Sequence, residues 1–205
     1  MDIKLNFINM SNDVNNTQIV VFQKNVSTDF DELSVAWKVI SNCGRSANHP
    51  FVFPMQTMVT ASDSDGNFMP KKISQNGQLF TVARSHSGNV LAATGVAPTS
   101  REVQVRNDLG SGAISASIFK DNRLLATKTG IAPGQKAVFE FKPTLWIGTA
   151  SQVEEGKVMN SAVISDINTE LSLLGVASAD IVMTGGGAGT SAQPYLFALQ
   201  NVVMG

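Results

Sequence analysis

Glu102-Val103-Gln104-Val105-Arg106, Ile114-Ser115-Ala116-Ser117-Ile118, Asp121-Asn122 and Ala132-Pro133-Gly134-Gln135-Lys136-Ala137-Val138-Phe139-Glu140-Phe141 lie within one stretch, residues 102–148, that carries no helical period. Val103 and Val105 alternate with Glu102, Gln104 and Arg106, and Ala137, Phe139 and Phe141 alternate with Lys136, Val138, Glu140 and Lys142. A period of two puts one side of a strand in a core and the other in water. Asp121 and Asn122 are residue types that tolerate the positive φ of a two-residue primed turn. Such a turn pairs Ile118 with Leu125, with Ile114, Ala116 and Ile118 on the core face. Ser115, Ser117 and Lys128 fall on the other face, whose polarity Phe119 and Leu124 interrupt. Pro133-Gly134 suits the centre of a type II turn, because proline presets the first φ and glycine supplies the positive second one. The reading is three sequential antiparallel strands.

Working outward, Ile3, Leu5 and Phe7 alternate, a polar turn covers 9–17, and 18–24 is β-branched. Residues 29–41 fit two templates. Leu33, Val35, Trp37 and Val39 alternate as in a strand, while Phe30, Leu33, Trp37 and Ile40 fit a helix behind an Asp29/Glu32 capping pattern. We read a strand there and take Asp29, Asp31 and Glu32 as a solvated loop or cap. Segments 51–62 and 68–73 flank Asp65-Gly66, and 78–84 and 90–94 flank Ser87-Gly88-Asn89, two further hairpin signals. Strands are expected at 157–165, 171–176, 179–184 and 194–203, with a short helical turn at 153–156. The segment 131–141 resembles a turn-plus-strand found in many unrelated β-sandwiches and transfers no site. The expectation is an all-β, single-domain antiparallel β-sandwich over residues 1–205, jelly-roll-like or immunoglobulin-like, with about eleven or twelve strands and little helix.

Composition narrows the function. Charged residues make up 15% of the chain, well below the roughly 25% usual in soluble domains. With 15 Lys and Arg against 16 Asp and Glu, the net charge of −1 offers no field to hold a polyanion, which argues against nucleic acid. Weak self-repulsion eases self-association. One cysteine, Cys43, rules out an internal disulfide. The first residues read as a strand rather than a secretory leader. The expected location is the cytoplasm, or outside the cell by a route without a classical signal peptide.

Chemistry-bearing residues are few. Cys43, His49 and His86 match no compact zinc spacing. Asp63, Asp65 and Asn67 have the alternate-oxygen spacing that opens a calcium loop. Phe68 and Ser74 stand where an EF-hand needs glycine and glutamate, and a hairpin tip explains the same residues. They are the candidate metal and binding residues, with calcium as the one cofactor considered. Gly185, Gly186, Gly187 and Gly189 lack the Lys-Ser/Thr of a phosphate loop and are taken as a hairpin suited to a crowded interface. Trp37, Trp146 and Tyr195 are the candidates for a stacking platform or an interfacial belt, although Trp37 and Trp146 each lie inside an apolar run and core packing is the preferred reading for both. No catalytic residue is assigned.

The expected function is therefore a non-catalytic β-sandwich acting through its surface, as a self-associating structural or recognition module. Its partners would be copies of itself or a membrane or glycan surface. The alternatives are a pore-forming, cytolysin-like protein that meets lipid through loop aromatics, and a metal-assisted enzyme using His49 and His86.

Overall fold

A computed structural model describes residues 2–27 and 33–205, so the acidic cluster Asp29, Asp31 and Glu32 lies outside the described residues. In chain order its strands are β1 (Ile3–Asn9), β2 (Gln18–Phe22), β3 (Leu33–Ser34), β4 (Lys38–Ile40), β5 (Asn48–Phe53) and β6 (Thr57–Ser62). Then come β7 (Lys72–Ser74), β8 (Gln78–Ser85), β9 (Gly88–Val96), β10 (Glu102–Asn107), β11 (Ile114–Lys120) and β12 (Arg123–Ile131). The rest are β13 (Lys136–Glu140), β14 (Thr144–Ala150), β15 (Thr169–Ser172), β16 (Val176–Gly186) and β17 (Gln193–Met204), with one short helix, α1 (Ser161–Asp166). The chain is nearly all β, as expected. The described strands outnumber the expected eleven or twelve because several apolar runs are cut. The run 51–62, for example, breaks into β5 and β6 around Pro54-Met55.

The strands form four sheets, and the chain groups into two compact units that interleave in sequence. One unit comprises Met1–Gln23, Val35–Met55 and Pro143–Gly205, the other Lys24–Ser34 and Gln56–Lys142. No linker composition marks these crossings, so a reading for linkers sees one continuous domain.

The first unit holds the sheets β17-β16-β1-β5 and β15-β14-β2-β4. β1 runs parallel to β16 and antiparallel to β5, an exception to a purely antiparallel plan. Its Ile3, Leu5 and Phe7 are buried, as their alternation requires. β2 is buried on both faces, from Ile19 to Phe22. Val20 and Phe22 pack with Ala36, Met159 and Ile167, against Val163 and Ile164. The expected strand at 157–165 is thus partly helix, and the helical turn lies at 161–166 rather than 153–156. Met159, Val163, Ile164 and Ile167 repeat at helical spacing, and Asn160 caps the helix by accepting from the Val163 N–H at 2.9 Å.

The second unit holds β13-β10-β8-β9 and β3-β12-β11-β6-β7. The run that opened the analysis supplies strands to both sheets. β11 and β12 form the expected hairpin, with Asp121 and Asn122 at φ 52° and 57°. β13 leaves that sheet after the Pro133-Gly134 turn and pairs with β10, so the three strands are not sequential neighbours in one sheet. The turn is type II as read, with Gly134 at φ 79° and the Gln135 N–H donating to the Ala132 carbonyl at 2.9 Å. The hairpin register differs too. A β-bulge lets Ile118 face Ala126 rather than Leu125, and Lys128 faces Ala116 on the core side. The extra residue allows Leu125 and Ala126 to be buried together. Gln104, expected in water, is buried and accepts from Lys136 Nζ at 3.0 Å.

Asn107 ties these turns together. Its buried amide donates to the Gly112 and Ile131 carbonyls, both at 2.9 Å, and accepts from the Leu109 N–H at 3.0 Å. Its carbonyl accepts from Gly134 N, so the end of β10 fixes the type II turn.

Candidate functional site

The candidate binding loop, residues 63–67, lies between β6 and β7 and is organised by one carboxylate. Asp63 Oδ1 accepts from the Asp65 and Asn67 N–H groups at 3.1 and 3.0 Å, and Oδ2 from the Asn67 and Asn89 amides, both at 3.2 Å. The bond from the Asn67 backbone is the largest influence holding this carboxyl below its ordinary value, against a smaller opposing effect of desolvation. Four donors fill both oxygens. Asp63 is thereby spent on the turn, and a cation would have to displace these bonds. Among the described residues no three His, Cys, Asp or Glu side chains gather as a metal site.

Two clefts, of about 370 and 320 Å³, flank the loop, and Asp65, Arg84 and Asn89 line both. Phe68, 76% exposed, borders the larger one. Arg84 and Asn89 come from the β8–β9 hairpin, and only tertiary structure brings them beside Asp63. The spacing of Asp63, Asp65 and Asn67 was legible; nothing local signals Arg84 or Asn89.

The aromatic candidates are not brought together as a platform. Trp37 is 1% exposed and packs edge-on against Phe53, centroids 5.3 Å apart, which is the core packing its apolar run suggests and leaves it no part in a stacking platform. Trp146 packs against the buried Val20–Phe22 cluster, with the Phe22 ring at 6.5 Å. Tyr195 is half-buried, and its hydroxyl donates to Asp13 Oδ1 at 2.9 Å. Asp13 also accepts from Asn15 N, Thr17 N and Thr17 Oγ1. Burial, the largest influence, raises its pKa, but these bonds outweigh it and leave the carboxyl below its ordinary value.

The glycine segment folds over this cluster as the expected hairpin. A Cβ on Gly185 would sit 2.0 Å from the Pro194 carbonyl oxygen, and one on Gly186 2.6 Å from the Tyr195 ring. Both have positive φ, 85° and 74°. These two glycines serve contacts within the chain. Gly187 has room for a Cβ, its nearest neighbour being the Ser191 carbonyl oxygen at 3.5 Å, and Gly189 faces open space.

Cys43 and His49 belong to the first unit and His86 to the second. Burial pushes the Cys43 thiol up, away from the reactive thiolate. Burial, and then nearby Lys38, push His49 down.

The sheet edges are the other candidate surface. An open edge presents unpaired N–H and C=O groups, and proteins blunt it with charge, proline or a cover. Most edges here are blunted. Glu155 accepts from the Val39 N–H of β4 at 3.0 Å, and Asn25 bonds the Val138 carbonyl and Glu140 N–H of β13 at 2.8 and 2.7 Å. β5 contains Pro50, β7 Lys72 and β15 Glu170, and the described part of β3 is two residues long. Comparison with protein-family models, curated proteins and solved structures finds no match to this chain. The remaining edges, β9 and β17, carry no charged residue over 9 and 12 residues. β9 also lacks proline, and its last five residues are exposed. In β17, Leu196, Val203 and Met204 are 64%, 55% and 65% exposed.

Proposed function

We propose that this is a non-catalytic β protein that works by associating with copies of itself, as a structural or recognition module. One observation carries the reading: β9 and β17 are the two long described edges without a charged residue, and β17 carries its one proline, Pro194, at its second position. Backbone groups on such an edge gain partners when a second strand adds to it. The small net charge adds little repulsion between copies.

Sedimentation equilibrium from micromolar to near-millimolar protein tests this. The weight-average mass is expected to rise with concentration, and a mass that stays monomeric throughout defeats the reading.

A further inference from the structure

We infer that each chain is bivalent, pairing β9 with β9 of one copy and β17 with β17 of another, so that association continues past the dimer. This rests on the self-association reading and adds its valence and its surfaces. β9 belongs to one compact unit and β17 to the other, so each unit brings one open edge.

Each edge has a defined open stretch. In β9 it runs from the turn at His86-Ser87 to a register shift at Thr94, and in β17 from a register shift at Pro194-Tyr195 to another at Asn201, whose φ is 49°. Proline and bulges interrupt pairing. That leaves residues 88–93 and 196–200, about 20 and 16 Å of extended chain. Among the described residues, no loop backbone bonds to either stretch from outside its sheet.

The absence of charge selects the occupant. When two copies of one strand pair antiparallel about a two-fold axis normal to the sheet, the residue at the axis faces itself and its neighbours face each other in reverse. A charge near the axis then meets its like, which is unfavourable. Gly88-Asn89-Val90-Leu91-Ala92-Ala93 and Leu196-Phe197-Ala198-Leu199-Gln200 contain none. An edge meant for a different protein is free to carry charges that choose that partner. A neutral strand escapes that clash in every register, which leaves both edges open to copies of themselves.

The test places lysine at exposed positions of each edge. Val90→Lys with Ala92→Lys closes β9, and Leu196→Lys with Ala198→Lys closes β17; all four side chains are solvent-accessible. In sedimentation equilibrium the unaltered protein is expected to exceed twice the monomer mass. Each two-lysine variant is expected to stop at the dimer, and the four-lysine variant to stay monomeric. A two-lysine variant that still exceeds the dimer overturns the inference. An unaltered protein that halts at the dimer overturns bivalence and leaves the self-association reading standing, whereas a strict monomer overturns both. Circular dichroism and thermal melts check that each variant folds. As a second arm, a peptide of residues 88–94 added to the unaltered protein should cut its assemblies to dimers, and no effect at saturating peptide also overturns the inference.

Discussion

At the scale of single residues, the polar side chains that matter most here hold turns. Asp63 fastens its loop with four acceptor bonds, Asn107 joins β10 to two turns, and Asp13 anchors the loop 10–17 to Tyr195 of β17. The Asp13 arrangement has a consequence in pH. Its folded pKa is lowered, so its contribution to stability is complete above the unfolded value and is lost as pH falls through the folded one. Asp13→Asn should therefore cost about 1 kcal/mol at neutral pH, a figure reduced for partial exposure, and the gap should narrow below about pH 4. Urea unfolding of both proteins from pH 7 to pH 3 measures it. A gap that is constant or widens in acid contradicts the assignment. The sequence marked the 9–17 turn as polar, but Tyr195 lies 182 residues away from Asp13, and no local pattern carries such a pairing.

At the scale of elements, alternation and turn chemistry are the signals that transfer to structure. Asp121-Asn122 and Pro133-Gly134 adopt the backbone their residue types favour, because the φ requirement is local. The bulge at Leu125 was not legible, since it arises from the need to bury two adjacent apolar side chains. The helix α1 was partly legible in the spacing of Met159, Val163, Ile164 and Ile167, a pattern that strand-like neighbours disguised. The β16–β17 hairpin gives a direct test of backbone requirement. Gly185→Ala places a Cβ against the Pro194 carbonyl at positive φ, and should destabilise the protein by about 2 kcal/mol or more. A melting temperature equal to that of the unaltered protein would show that the hairpin end is not packed as described.

At the scale of the whole molecule, the proposed association rests on the low charge of the chain and the neutrality of β9 and β17. Association through uncharged backbone edges should respond little to ionic strength, because screening acts on charge pairs. Raising salt from about 0.05 to 0.5 M should leave the association constant within about twofold, as sedimentation or light scattering can record. A steep fall with salt would place charged contacts in the interface and count against the edges. By itself, the sequence determined an all-β chain with its principal turns, a small net charge and an apolar alternation rich enough for buried cores. These follow from local φ preferences and from the two-residue period of a strand. Tertiary structure alone decided that the strands sort into four sheets and two interleaved units, and that Arg84 and Asn89 flank the Asp63 loop. It also decided which strands lie at edges and which of those are covered. Strand order is a non-local property: apart from proline, every residue type offers the same backbone donor and acceptor, so the sequence names the strands while packing chooses their neighbours.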